Sequence, residues 1–216
     1  MFNLAKSEVD SRFLIARQFL SLVSTIESSM PMEAASCKGM LFVQIYAVYE
    51  YAIRSSVQAT LAAIKNDSLP AIRIRRELLT LILDPLWEAA ASSGRRRMWE
   101  QRMELMNRID SNDPLTTLND TVFPSNGSHY RPSQLNTIWK VFGINKPIVP
   151  EMIHLGRIEE LVENRNAISH GRKTAEEVGR RYSISELEKR IDDVFALSKY
   201  IISTMEDHYL SGDIHR

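Results

Sequence analysis

The sequence predicts an all-α fold, and three features carry that expectation. Apolar residues recur at steps of three and four along the chain, alternating apolar–polar runs are absent, and the breaks between periodic stretches are rich in Pro, Gly, Asn and Ser. Together they point to an antiparallel helical bundle. The 216 residues are 44% hydrophobic and 25% charged, enough to bury a core without disulfides or a structural metal.

The first helix rests on Val9, Phe13, Ala16, Leu20 and Val23, one stripe at steps of three and four, with Asp10 and Ser11 as start signals and Ser28-Ser29 before Pro31 as its end. Pro31 and Glu33 open a second helix that runs to about Lys65. Its apolar residues cover much of its circumference, which assigns it to the centre of the bundle. Residues 70–109 read as two shorter helices, with Asp84-Pro85 interrupting the first and Ser92-Ser93-Gly94 separating it from the second. Residues 110–132 form the clearest loop, and a short helix follows from Ser133 to Phe142 with Gly143 as its stop. Residues 144–150 read as extended. A helix opened by Pro150 or Glu151 ends near His170 at Gly171. Capping boxes at Thr174/Glu177 and Ser183/Glu186 announce a short helix and a long final one, the latter with Ile184, Leu187, Ile191, Val194, Leu197 and Ile201 in register.

Composition excludes several functional classes. The 27 basic and 27 acidic residues cancel, so a uniformly basic nucleic-acid coat is ruled out while local patches are not. Residues 65–109 carry nine basic and six acidic side chains, including the clusters Arg73/Arg75/Arg76 and Arg95/Arg96/Arg97. Either cluster could contact phosphates or simply form a solvated helix face. Charges interrupt the first six residues, and no uncharged apolar run reaches the about 18 residues of a membrane span, so a cytoplasmic protein without membrane contact is expected. The single Cys37 reads as a reduced, buried thiol. The histidines, His129, His154, His170, His208 and His215, include no pair four apart on an expected helix, so no metal site and no cofactor are expected.

One segment concentrates reactive groups: Glu163-Asn164-Arg165-Asn166-Ala167-Ile168-Ser169-His170-Gly171. Asn166 and His170, four apart, share a helix face. Arg165 and His170, five apart, are separated by about 140° on a regular helix, so they converge only if the helix stops near His170 or a second subunit closes the site. A purely structural role is the competing account. There, His170 would bond the last carbonyls of its helix, and Arg165 would pair with Glu159, Glu160 or Glu163.

The stretch resembles the Arg-x(4–6)-His motif of HEPN domains, in the form Arg-Asn-x-x-x-His. With the GRKTAEEVGRRYSISELEKRIDD that follows and the long second helix carrying Tyr49-Glu50-Tyr51-Ala52-Ile53-Arg54, it looks like the MAE-like branch. The likeness covers residues 1–65 and 150–210. It implies one HEPN-type domain over residues 1–216 with an insertion at about 70–148.

The resemblance further implies a metal-independent endoribonuclease, a toxin or phage-defence effector. Arg165, His170 and Asn166 would be its catalytic residues, with Arg172, Lys173, Arg95, Arg96 and Arg97 as RNA contacts. A homodimer is implied, and so is a cognate antitoxin or defence-system protein as partner. Some HEPN toxins carry a modifiable tyrosine two residues after the histidine. Arg172 occupies that position here, so that form of control is not implied. Two other readings remain at this point: a non-catalytic dimeric module binding RNA, a nucleotide or a protein, and a helical scaffold whose basic insertion contacts a partner.

Overall fold

The computed structural model describes residues 1–115 and 130–215. Among these residues the chain forms nine α-helices, one 3-10 turn over Ala71–Arg73, and two isolated bridges, Pro70 with Pro114 and Ile74 with His215. In chain order the helices are α1 (Phe2–Ile26), α2 (Pro31–Asn66), α3 (Arg76–Ile82), α4 (Asp84–Ser92), α5 (Met98–Ile109), α6 (Pro132–Phe142), α7 (Gly156–Ser169), α8 (Ala175–Gly179) and α9 (Ile184–Leu210). The fold is all-α, as the apolar periods predict. Residues 116–129 of the expected loop lie outside the described residues.

The chain divides into two compact units, with the division falling within α2, α6 and α9. The first contains residues 1–56, 130–134 and 147–203. Here α1 buries Phe2, Ala5, Val9, Phe13, Ala16, Leu20 and Val23. It meets α9 through Phe13 and Phe195, edge to face at 5.0 Å, and through two ion pairs. Arg17 donates to Asp192 at 2.7 Å and Lys199 to Asp10 at 2.8 and 3.0 Å. Leu41, Phe42, Ile45, Tyr49, Ala52 and Ile53 of α2 are fully buried, which makes this helix the centre of the unit.

The backbones of α2 and α8 touch. A Cβ at Gly39 would lie 1.9 Å from the Ala175 carbonyl oxygen, and one at Gly179 would lie 1.8 Å from that of Ala35. Only glycine fits either position at this separation.

In the second unit α3, α4 and α5 join most of α6 and the ends of α2 and α9, around Ile64, Ile74, Leu78, Ile82, Leu115 and Phe142. Buried His208 donates from Nε2 to the Phe142 carbonyl at 2.7 Å, and burial pushes its pKa down. A cleft of about 380 Å³ opens there beside Arg75, Lys146, His208 and Asp213.

Several boundaries depart from expectation. Helix α1 begins at Phe2, well before Asp10, because burial of Phe2 and Ala5 extends the apolar stripe although no side chain caps the helix. Residues 70–109 hold three helices, with α3 and α4 parted at Leu83 just before Pro85. Helix α7 starts at Gly156 and not at Glu151. Pro150 instead begins a turn closed by Ile153 N–H to Pro150 O at 2.9 Å, and His154 Nδ1 accepts the Gly156 N–H at 3.0 Å. Cys37 is half-buried, short of full burial.

Candidate active site at the end of α7

Helix α7 stops where the Arg-Asn-x-x-x-His segment ends. His170 is its C-terminal cap, with its N–H on the Asn166 carbonyl at 3.0 Å. Gly171 follows at φ +68°, the left-handed conformation that glycine takes without steric cost. Its N–H bonds to Ile168 O at 3.1 Å, and Lys173 N–H reaches Ala167 O at 3.0 Å. The stop is therefore built from backbone bonds, and the His170 side chain is exposed at the helix end.

Arg165 points to the α2 side. Its guanidinium sits over the Tyr46 ring at 4.9 Å, and Nη1 donates to Asn166 Oδ1 at 3.1 Å. Arg165 is half-buried, and Asn166 is only 4% exposed. The aromatic face and the amide fix the cation's plane, a hold that a flexible lysine would not receive.

A residue outside the motif joins this corner. Tyr49 donates its hydroxyl to the Tyr130 carbonyl at 3.0 Å, and the Tyr130 backbone also bonds to Tyr46. Burial raises the pKa of all three phenols, that of Tyr130 to about 12, so they remain neutral hydrogen-bonding groups. Tethered in this way, Arg131 reaches α7, with Nη1 2.5 Å from Glu159 Oε2 and Nη2 3.2 Å from Glu163 Oε2. The other Glu163 oxygen accepts from Arg172 Nη1 at 2.9 Å. Hydrogen bonds from Arg131 and Arg172 hold the Glu163 carboxyl below the usual range. Lys173 is exposed in the same turn.

The sequence offered Glu159, Glu160 and Glu163 as partners for Arg165. Glu159 and Glu163 pair with Arg131, and Glu160 pairs with Arg157 and Arg190. Nothing local marks Arg131, since it lies at the end of the aperiodic 110–132 segment. Its role comes from tertiary position, and Pro132 directly after it is the only local sign of an ordered turn.

Behind the corner a second network fixes α7. Asn164 donates to the Tyr182 hydroxyl at 2.9 Å and accepts from Arg181 at 2.7 Å. Tyr182 donates to Glu160 at 3.1 Å, and Arg190 grips the same oxygen at 2.9 Å. Burial pushes the Glu160 pKa up, but Arg190 and then Arg157 outweigh it, so the net shift is downward. Lys38 bonds the Tyr182 carbonyl at 2.8 Å, joining α2 to the same network. Asn164 therefore orients the helix.

Arg95, Arg96 and Arg97 belong to the second unit, where they form the exposed turn leading into α5. Among the described residues, no group of three His, Cys, Asp or Glu side chains is placed to hold a metal ion, and no helix is long and apolar enough to cross a membrane. A family model described as MAE_28990-like HEPN matches residues 4–213. No curated protein and no solved structure matches the chain.

Proposed function

The chain belongs to the MAE_28990-like HEPN family, and on that premise we propose that it is a metal-independent endoribonuclease centred on Arg165, Asn166 and His170. The observation that carries the reading is the stop of α7 at His170, which leaves an exposed imidazole one turn from the Arg165–Asn166 pair. Membership of a family whose domains are often ribonucleases supports it.

RNA brings its own nucleophile, the 2′-hydroxyl. His170 takes the proton from that oxygen, because imidazole exchanges protons near neutral pH. The oxygen attacks the adjacent phosphorus, and charge builds on the phosphorane oxygens. Arg165, its plane set by Tyr46 and Asn166, stabilises that charge through paired N–H donors. The bond to the 5′-oxygen breaks, and that oxygen leaves with a proton. The products are a 2′,3′-cyclic phosphate and a 5′-hydroxyl. In a homodimer the second His170 supplies the departing proton, so one imidazole acts as base and the other as acid. We place the activity in the cytoplasm, as a toxin or phage-defence effector restrained by a protein partner.

Incubating purified protein with total RNA in EDTA, followed by end-group analysis, tests the chemistry. Cyclic phosphate and 5′-hydroxyl ends are expected. Cleavage that stops on chelation and returns with added metal would overturn the mechanism. Stable RNA binding without cleavage would instead favour a non-catalytic binding module.

A further inference from the structure

Glu163 is an anion already clasped by two arginines. One carboxylate oxygen meets Arg172 Nη1 at 2.9 Å and the other meets Arg131 Nη2 at 3.2 Å. The Glu163 side chain is 52% exposed, so solvent reaches the clasp. We propose that Arg131 and Arg172 form a phosphodiester-binding subsite, that Glu163 fills it when RNA is absent, and that an RNA phosphate displaces the Glu163 carboxylate on binding. The inference rests on the ribonuclease reading.

Four observations support the exchange. A carboxylate and a phosphodiester each offer two oxygens to a guanidinium pair, so one can substitute for the other. Arg131 does not depend on Glu163 for its position, because Glu159 holds it at 2.5 Å and the Tyr49 bond to Tyr130 O at 3.0 Å anchors the adjacent residue. Exposed pairs of this kind contribute little stability each, so releasing Glu163 costs little. The carboxyl is held ionised by its two partners, so it competes as a full charge.

The location selects which phosphate binds. Glu163 and His170 are seven residues apart, about 20° around α7 and about 10 Å along its axis. The subsite therefore takes a phosphate flanking the scissile one. It sets the register of the strand and leaves charge stabilisation at the reacting phosphorus to Arg165. The acidic side chain beside the motif works as an internal competitor that lowers RNA affinity.

The test is binding of a 2′-O-methyl oligoribonucleotide, which cannot be cleaved, measured by anisotropy across a KCl series for wild type, E163Q, R131Q, R131K and R172Q. E163Q should bind about three- to tenfold more tightly, since both exposed pairs with the competitor are gone. R131Q and R172Q should bind more weakly, each with a slope of log K against log salt shallower by about 0.7, the loss of one single-strand phosphate contact. R131K should recover most of that slope. An E163Q affinity equal to or below wild type, or wild-type slopes in R131Q and R172Q, overturns the subsite. If cleavage persists alongside that result, the ribonuclease assignment stands and only the subsite falls. Failure of the wild-type protein both to bind and to cleave RNA overturns both.

Discussion

His170 ends α7 with its imidazole exposed, so its replacement should change chemistry far more than folding. His170→Ala is expected to slow single-turnover cleavage about 10²–10⁴-fold, with a melting temperature close to wild type. Arg165→Lys should rescue little relative to Arg165→Ala, because lysine loses the planar fork that Tyr46 and Asn166 hold in place. Asn166→Ala should be milder than either, since it removes orientation and leaves charge and proton transfer intact. A His170→Ala variant that cleaves at the wild-type rate would reject the proton-transfer role. At this scale the sequence singles out Arg165, Asn166 and His170 as candidates, because residue chemistry, helical spacing and the glycine stop coincide in nine residues. It conceals Arg131, whose partners Glu159 and Glu163 are 28 and 32 positions away. No local periodicity reports a contact of that range. Spacing along α7 offers Arg165 three glutamates, but it cannot reveal that Arg131, Arg172 and Arg190 arrive from other segments to pair with them.

Elements were legible where their signals are local. Both capping boxes form, with Glu177 N–H on Thr174 Oγ1 at 3.1 Å and Glu186 N–H on Ser183 Oγ at 3.3 Å. Helix α2 spans the stretch that Pro31 and Asn66-Asp67-Ser68 delimit. The starts of α1 and α7 were not legible, because burial in one case and a His154 side-chain bond in the other displaced the expected signals. The contact of α2 with α8 was equally hidden. Gly39 and Gly179 look like ordinary weak points of a helix until their carbonyl neighbours are known. Gly179→Ala should destabilise the protein by about 3 kcal/mol, the upper end for overpacking, because backbone and not a flexible side chain blocks the new methyl. Urea unfolding measures this, and a loss under about 1 kcal/mol, the typical cost of any point mutation, would mean that α8 can shift aside. Such a shift would also disturb the turn that carries Arg172 and Lys173.

The whole molecule poses the question of assembly, which spacing along one chain addresses poorly. Among the described residues, the end of α7 contributes one imidazole, His170, where the proposed cleavage needs both a base and an acid, so a two-fold dimer with paired sites is expected. Light scattering should give twice the monomer mass at micromolar concentration. Cysteine substitution at Ser169, the exposed residue before His170, should allow cross-linking between subunits. A monomer, or a dimer that cross-links only elsewhere, would contradict the arrangement. The role of the second unit was the least legible part, because neither a period nor a motif in residues 70–148 names a chemistry. The union of the first and last helices has a further consequence, a kinetic one. Phe13 rests on Phe195, and Asp10 waits for Lys199, 189 residues away. Contacts that distant form late and raise the contact order. During synthesis α1 leaves the ribosome without its α9 partner until Ile184–Leu210 has followed. A product interrupted before α9 lacks Phe195 and Lys199, so the contacts that close this side of the core cannot form.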